Sequence, residues 1–505
     1  MALLDAHDLT DGEVIQTTVC VAGAGAAGIT IARQLAAAGI EVVLLEGGGI
    51  ERNEESQALY EGHNSGQFEV KLDACRSRHL GGSTNCWVGW CRPLEADDFE
   101  LRGWLPGSGW PLDAETLAPY YAQAHRTVQI GANEYNADAL AQRAGVEPLP
   151  LDPALVRWVL YQYSPPVRFG ESFRGDLETT EGLRTYLHAN VVNIALDSSG
   201  DRVSALDGVT RSGIRFSVQA DHYVISMGGI DNARLLLASN SQKTAGVGND
   251  TGLVGACFME HPHYYQRAVM ALRRDVDPGF WTTRQVARTF DADTPEGVEI
   301  EVRPAIALPP AVREQQQLVT MAATCKLLAP DRILGTMDGV QADQLRHFVR
   351  SMPSDLQLWG LDIRAEQRPR PQSRITLTDE LDPVGMPRVN VTWNVADEDI
   401  ADVQRTLELW SAALARARLG RVWMTTTDDR FDPGAVDGGC HHMGTTRMSE
   451  NAEAGVVDAD GRVHGLDNLF LAGSSVFPTG GFANPTLTIV ALAHRLAEHL
   501  TGLVG

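Results

Sequence analysis

TTVCVAGAGAAGITIARQLAAAGIEVVLLEGG, residues 17–48, decides the fold. Thr17 to Ala22 is a short apolar run suited to a buried parallel strand, and it enters Gly23-Ala24-Gly25-Ala26-Ala27-Gly28 without a spacer. Gly23 permits the tight turn, Gly25 lets backbone approach a pyrophosphate, and Gly28 lets a helix from about Ala26 to Ala38 lie close to the sheet. Gly39 ends that helix, Glu41 to Leu45 makes the next strand, and Glu46 stands where a ribose diol can donate to its carboxylate. This order specifies a dinucleotide site built from Gly23, Gly25, Ala26, Ala27, Gly28 and Glu46. The acid repels a 2'-phosphate, so NADP is the least suitable dinucleotide.

FAD is favoured over NAD by two segments outside this unit. Asp467 to Ser475, DNLFLAGSS, is another apolar strand ending in glycine and small hydroxyl residues, followed by a helix over Thr488 to Leu500. Such a late return of the chain can present backbone N–H groups to the longer cofactor. His79 to Trp90, HLGGSTNCWVGW, packs glycines, hydroxyls and tryptophans into one turn. A flat isoalloxazine needs that mixture, with Gly82 and Ser83 offering close approach and hydrogen bonding.

The 505 residues suffice for two or three domains with a large core. The 42 basic against 65 acidic side chains give a formal charge of −23, which repels nucleic acid and anionic membranes at long range. No run approaches the roughly 20 apolar residues needed to cross a bilayer, and no basic, apolar leader precedes the first strand. Seven scattered cysteines suit a reducing cytoplasm rather than a disulfide scaffold, and Cys86 with Cys91 lacks a matching Cys/His cluster, so no metal site is expected.

The segment order predicts a discontinuous architecture, an α/β cofactor domain with an α+β substrate domain. FAD-binding parts are expected at 14–100, 176–265 and 431–505, and the substrate domain at 101–175 and 266–430. Val191–Leu196, Arg202–Asp207 and Gly213–Val218 read as an antiparallel meander, and Asp221 to Met227 as a separate apolar strand before the helix Ile230 to Ala238. Trp110 to Ile130, Asp331 to Arg350 and Glu398 to Ala417 have helical character. Tyr264–Leu272, Gly297–Pro304, Asp355–Ile363 and Val389–Trp393 read as strands. The basic, proline-containing run Arg364 to Arg374 reads as a solvated loop.

Two C-terminal turns carry proton-handling groups: GCHHMGTTRMS at 439–449 and GGFANPTLT at 480–488. Oxidising an alcohol requires removal of the hydroxyl proton and transfer of the carbon-bound hydrogen to an acceptor. A neutral imidazole can take the proton and an amide can hold the oxygen, and His441 and Asn484 supply those groups. Pro485 fixes the backbone beside the amide.

Taken with GGSTNCWVG at 81–89, WPLDAETLAPYY at 110–121, GGIDNARLLLAS at 228–239, VGACFMEHP at 254–262, SRITL at 373–377, CHHMGTTRM at 440–448 and LFLAGSSVFPTGGFANPTLT at 469–488, these motifs span nearly the whole chain. In them the chain resembles the glucose-methanol-choline (GMC) oxidoreductases, closest in character to the pyranose-oxidase-like branch and bacterial sugar and glycoside oxidoreductases. The resemblance implies a Rossmann-like FAD-binding domain of the p-hydroxybenzoate-hydroxylase-like type and a substrate domain with a large antiparallel sheet. It implies His441 rather than His442 as the base, and Asn484 at the second catalytic position, where some relatives have histidine. It further implies that Gly82 and Asn85 lie near the isoalloxazine, that Gly473 and Thr486 contact the cofactor, and that Gln367 faces the substrate pocket.

Related sequences often place histidine where this chain has Cys86, and some attach FAD through that histidine. A cysteine cannot form the histidyl bond, so FAD is expected to be noncovalent. The activity implied is oxidation of a secondary alcohol of a sugar or glycoside to a ketone, with oxygen or another acceptor reoxidising FAD. A flavin-dependent lyase or decarboxylase, or a noncatalytic flavin-binding module, would use the same fold, since folds do not fix reactions.

Overall fold

The computed structural model describes residues 3–147, 149–282, 284–289, 297–328, 340–351, 355–428, 430–434 and 436–505. The opening motif forms the strand Glu13–Ala22, the helix Ala26–Ala37 and the strand Val42–Leu45. These two strands are parallel neighbours, with Val19 opposite Val42 and Ala22 opposite Leu45. Their residues 19–22 and 42–45 are buried, as parallel strands covered on both faces require. Gly28 is demanded by packing: a Cβ there would stand 1.8 Å from the Gly23 carbonyl oxygen.

An eight-stranded sheet grows from this pair among the described residues. Its order is Leu3–Asp5, Leu183–Leu187, Val42–Leu45, Glu13–Ala22, Arg215–Ile225, Val203–Val209 and Asn190–Leu196, with Leu469–Leu471 alongside Arg215–Ile225. The expected separate strands at 213–218 and 221–227 are one continuous strand. It follows Glu13–Ala22 in parallel register from Phe216↔Glu13 to Ile225↔Ala22, so the meander extends the cofactor sheet. The helices Thr486–Val504, Ala26–Ala37 and Ala114–Thr127 pack together, burying Leu487, Val490, Ala491 and Leu496 of the last helix.

The second sheet is antiparallel and nine-stranded among the described residues. Its order is Gly420–Met424, Pro262–Arg273, Leu356–Ala365, Met321–Leu327, Val298–Ala307, Arg157–Tyr163 and Trp90–Cys91, with Gln285–Thr289 and Asp437–Gly438 at its margins. One face presents Val159, Tyr161, Ala305, Ala307 and Ala322, buried against Phe482. The Tyr161 hydroxyl donates to the Phe482 carbonyl at 3.1 Å, which braces the chain just before Asn484. The helix Asp397–Arg416 covers part of this sheet through Val403, Leu407, Trp410 and Leu414. The early part of the helical segment expected at 331–350 lies outside the described residues; within them the helix is Val340–Ser351.

The expectation of a solvated loop at 364–374 is corrected. Arg364 lies within a strand, Glu366 is fully buried against both terminal guanidinium nitrogens of Arg102 (2.6 and 2.8 Å), and Arg368 bonds Asp399 and Asp402 at 2.6 and 2.7 Å. The charges of Glu366 and Arg368 are met by partners distant in sequence rather than by water. No helix of the described residues is long and apolar enough to cross a membrane.

Candidate functional site

Between the two sheets lies a cavity of about 530 Å³ whose walls come from both ends of the chain. Gly23, Gly25, Ala26, Ala27 and Glu46 form one end; Gly82, Ser83, Trp87 and Trp90 lie along it; His441, Gly473, Asn484 and Thr486 complete it from the C-terminal turns. Gly28 lies beneath, under the strand–helix turn. The helix Ala26–Ala37 begins with no side-chain cap, and a Cβ at Gly25 would meet nothing within 4 Å. Its first N–H groups therefore face open space, the arrangement that receives a phosphate.

Glu46 is buried, with Oε2 accepting from Ala24 N at 3.1 Å and Oε1 from Gly48 N at 2.8 Å. Those bonds fix the carboxylate in the cavity wall, and each oxygen keeps a lone pair for a ribose hydroxyl. The Asn484 Oδ1 is buried with no hydrogen-bond partner. An uncapped helix end, a fixed acid at the end of the second strand and an orphan acceptor in one elongated cavity fit a dinucleotide carrying a polar ring system.

The His441 turn is placed by backbone pairing. Met443 and Met259 exchange N–H···O bonds at 2.9 Å, which sets Glu260 beside residues 441 and 442. On the other side Gly444 N donates to Ser474 O at 3.1 Å and the Ser474 hydroxyl donates to His442 O at 2.6 Å. The strand carrying Leu469–Leu471 thus delivers the histidine turn to the cavity. Cys440, just before it, has φ +57, a left-handed conformation uncommon for a residue with a side chain.

Three imidazoles meet here. His441 Nε2 is 3.2 Å from Asn484 Nδ2, and His441 Nδ1 is 2.8 Å from His261 Nδ1. His261 Nε2 is 3.3 Å from the Gly480 carbonyl oxygen. A carbonyl only accepts, so His261 carries hydrogen on Nε2, its Nδ1 accepts from His441 Nδ1–H, and His441 Nε2 is left with a lone pair toward the Asn484 amide. Burial holds His441 well below the ordinary imidazole range, reinforced by His261, His263 and Arg364, so it is neutral. Burial lowers His261 to about 4.

His442 points away from this line. Its ring lies against Phe258, and Nε2 is 3.3 Å from Glu260 Oε1 and 3.5 Å from Cys75 Sγ. Burial lowers it to about 3 and raises Glu260 to about 8, so the two form a neutral pair. Glu260 Oε2 accepts the backbone N–H of His441 at 2.9 Å and of His261 at 3.2 Å, which sets the orientation of both residues.

Two expected residues lie elsewhere. Gln367 is buried behind the wall, its Oε1 accepting from Trp393 Nε1 at 2.9 Å and Glu260 N at 3.2 Å, and its Nε2 donating to Asn394 O at 3.0 Å. With both amide ends occupied it buttresses Glu260 and does not face the cavity. Asn85 turns back on its own loop, donating to Leu80 O at 2.9 Å, and shapes the turn without lining the cavity. Conversely, His261, His263, Tyr265 and Arg364 were not singled out from the sequence. The signal for the first three was the period-two spacing in EHPHYY at 260–265, which puts 261, 263 and 265 on one side of an extended segment. Cys86 lines the cavity but its thiol donates to Ser83 O at 3.3 Å. Away from the cavity, Asp5, His7 and His188 place metal-type donor atoms within 4.8 Å of one another, both imidazoles being bonded to the Asp5 carboxylate.

Residues 369–493 match the GMC oxidoreductase family model, and residues 18–245 the FAD dependent oxidoreductase model. The chain is 25% identical to paromamine 6'-oxidase of Streptomyces fradiae across 99% of this chain and 93% of that protein. It is 34% identical to C-glycoside 3-oxidase of Microbacterium trichothecenolyticum over 28% of this chain and 27% of that protein. Among solved structures, formate oxidase superposes with a TM-score of 0.58 at 16% identity, covering 98% of this chain and 99% of that one.

Proposed function

We propose that the chain is an FAD-dependent oxidoreductase of the GMC type acting on CH–OH donors, and that its donor is a secondary hydroxyl of a sugar or glycoside, oxidised to the ketone. The observation that carries this reading is the 3.2 Å pairing of His441 Nε2 with Asn484 Nδ2 in the cavity wall. The polar surroundings of that pair, His263, Tyr265 and Arg364, suit a donor with several hydroxyl groups. The likeness to a paromamine oxidase and a C-glycoside oxidase supports a sugar.

Bound FAD supplies the acceptor for the carbon-bound hydrogen, and oxygen or another acceptor afterwards takes the electrons. Gly25, Ala26, Ala27 and the helix start would hold its pyrophosphate, Glu46 its ribose, and Gly82, Ser83, Gly473 and Thr486 the remainder. The substrate hydroxyl enters between His441 and Asn484. His441 Nε2 accepts the hydroxyl proton, while the Asn484 amide holds the oxygen through its N–H and offers Oδ1 to a neighbouring donor. The His441 Nδ1–H bond to His261, backed by the Gly480 carbonyl, keeps the ring in one tautomer as its charge develops. Trp87 and Trp90 supply the apolar part of the wall.

The test is anaerobic flavin bleaching with a panel of neutral, acidic and amino sugars, their glycosides and simple alcohols. A sugar or glycoside is expected to bleach the flavin, and the products should carry a ketone by mass and hydrazine trapping. His441→Asn should slow bleaching by about 10²–10⁴-fold with FAD still bound, the usual contribution of a general base. Bleaching unaffected by His441→Asn and Asn484→Ala would remove both residues from the reaction.

A further inference from the structure

Arg364 differs from several buried or part-buried arginines among the described residues that are paired with carboxylates. Arg76 pairs with Asp231, Arg102 with Glu366, Arg234 with Asp382 and Arg368 with Asp399 and Asp402. Arg364 lines the cavity at its His441 end, and among the described residues no carboxylate or carbonyl accepts a hydrogen bond from it. Its guanidinium carbon lies 4.0 Å from the centre of the Trp90 ring, which is itself held 5.2 Å from both Tyr161 and Tyr163. Stacking fixes the plane of the guanidinium and leaves its edge N–H groups available for a planar acceptor.

Among the described residues none of the acids nearby accepts a hydrogen bond from it. Asp362, two residues earlier on the same strand, is held above the usual carboxylate range by burial, which Arg364, Lys326 and Arg303 only partly offset. Glu260 is committed to the backbone of His441 and His261. Facing Arg364 across the antiparallel register is His263, 6% exposed, with Nδ1 bonded to the Tyr265 hydroxyl at 2.8 Å and Nε2 without a partner. When Tyr265 donates to Nδ1, the ring hydrogen sits on Nε2. Glycine at 439 leaves room there: a Cβ at that position would stand 3.0 Å from this Nε2. A stacked cation with no hydrogen-bonded carboxylate and a buried imidazole whose Nε2 has no partner therefore share one wall of the substrate end.

We propose that Arg364 and His263 form a subsite for an anionic substituent, so that the sugar oxidised is a carboxylate-bearing one, a uronic acid or its glycoside. This rests on the sugar reading of the site given above. A carboxylate accepts two parallel N–H bonds from the guanidinium fork and a third from His263 Nε2, satisfying groups that are otherwise left bare in a half-buried wall. A neutral hydroxyl would leave the positive charge uncompensated, and an ammonium substituent would be repelled by it. Neutralising Arg364 also removes part of the field that depresses His441, so the bound acid strengthens the base it is presented to.

The experiment compares methyl β-glucuronide with methyl β-glucoside on the FAD-loaded protein, reading dissociation constants from anaerobic perturbation of the flavin spectrum and rates from bleaching. Wild type is expected to bind the glucuronide at least about tenfold more tightly, the low end for charge-assisted hydrogen bonds. In Arg364→Gln the ratio should fall to about one, and in Arg364→Lys, which keeps the charge but loses the fork, to an intermediate value, with the flavin absorbance of each variant reporting that it is folded and loaded. Equal or tighter binding of the glucoside by wild type, or a glucuronide preference that survives in loaded Arg364→Gln, would overturn the proposal. If neither sugar bleaches the flavin while the glucuronide still binds in an Arg364-dependent way, the subsite stands and the sugar-oxidation reading fails. Bleaching by the glucoside alone is the reverse result.

Discussion

Gly25→Ala separates the cofactor role of the glycine loop from its folding role. Gly25 has φ −89 and ψ −164, extended backbone that alanine adopts without strain, and the added Cβ would meet no protein atom within 4 Å. The apo protein should therefore melt within about a degree of wild type, since the substitution creates neither clash nor cavity. The methyl group projects into the space in front of an uncapped helix N-terminus, where it holds a pyrophosphate away from the first-turn N–H groups. Losing two charge-assisted N–H···O bonds at about 1.5 kcal/mol each removes about 3 kcal/mol. At about 1.4 kcal/mol per tenfold, this weakens FAD binding by roughly 150-fold. Gly28→Ala is the contrast, because its Cβ would lie 1.8 Å from the Gly23 carbonyl oxygen and 2.7 Å from Ser226 Oγ, so the turn itself must move and apo stability falls too. The assay is FAD titration by fluorescence quenching beside thermal melting of the apo proteins. Unchanged FAD affinity in Gly25→Ala, or an apo melting temperature as low as that of Gly28→Ala, would refute the reasoning.

Because burial and the neighbouring His261, His263 and Arg364 hold His441 well below 6.5, kcat/KM for flavin reduction should stay level as pH falls through 6.5; an inflection at or above 6.5 that disappears in His441→Asn would contradict this. Apo stability should peak near pH 6.5. His261, His442 and His494 are lowered by burial to about 4, 3 and 4, so the unfolded chain takes up their protons first, and the stability they contribute is complete above 6.5 and lost below it, at about 1.4 kcal/mol per pH unit each. Glu260 and Asp98, raised by burial to about 8 and 7, act in the opposite sense: their contribution is complete below the unfolded carboxylate range and declines as pH rises toward those values. Melting temperatures from pH 5 to 9 check the maximum, and Glu260→Gln should flatten its alkaline side; a monotonic profile would count against the assignment. Acid precipitation should release all flavin into the supernatant, since the Cys86 thiol is directed at Ser83 O; a yellow pellet would show a covalent bond.

The parts of the fold legible in the sequence are those whose cause is local. Residues 17–48 carry strand period, glycine spacing and a terminal acid within one continuous unit; its helix and second strand fall within a residue of those expected, and its first strand starts four residues earlier, at Glu13. The two C-terminal turns were legible as places where proton-handling side chains gather. What escaped depends on partners far away in sequence. Arg368 looked solvated because its acids lie at Asp399 and Asp402, while Glu366 takes Arg102 from 264 residues earlier. Gln367 looked like a substrate contact because an amide's commitments, here Trp393, Asn394 and Glu260, exist only after folding. Arg364 needed the sheet register to reveal that it faces His263 and the cavity.

The protonation of the site is fixed from its two ends by one stretch of chain. Gly480 contributes a carbonyl that can only accept, and Asn484 an amide nitrogen that can only donate, and the His261–His441 pair lies between them. With the ends so defined, a single arrangement of ring hydrogens satisfies every bond, and it leaves the His441 Nε2 lone pair on the cavity side. An amide suits the Asn484 position because it does not take the proton from His441, whereas a second imidazole there would compete for it across the physiological range. Ring orientation is set by the backbone, the N–H groups of His441 and His261 resting on one Glu260 oxygen. Burial and the Arg364 charge then keep the pair neutral. His441 is thus held ready to accept a proton by groups that do not exchange one with it, and the substrate hydroxyl is the group that does.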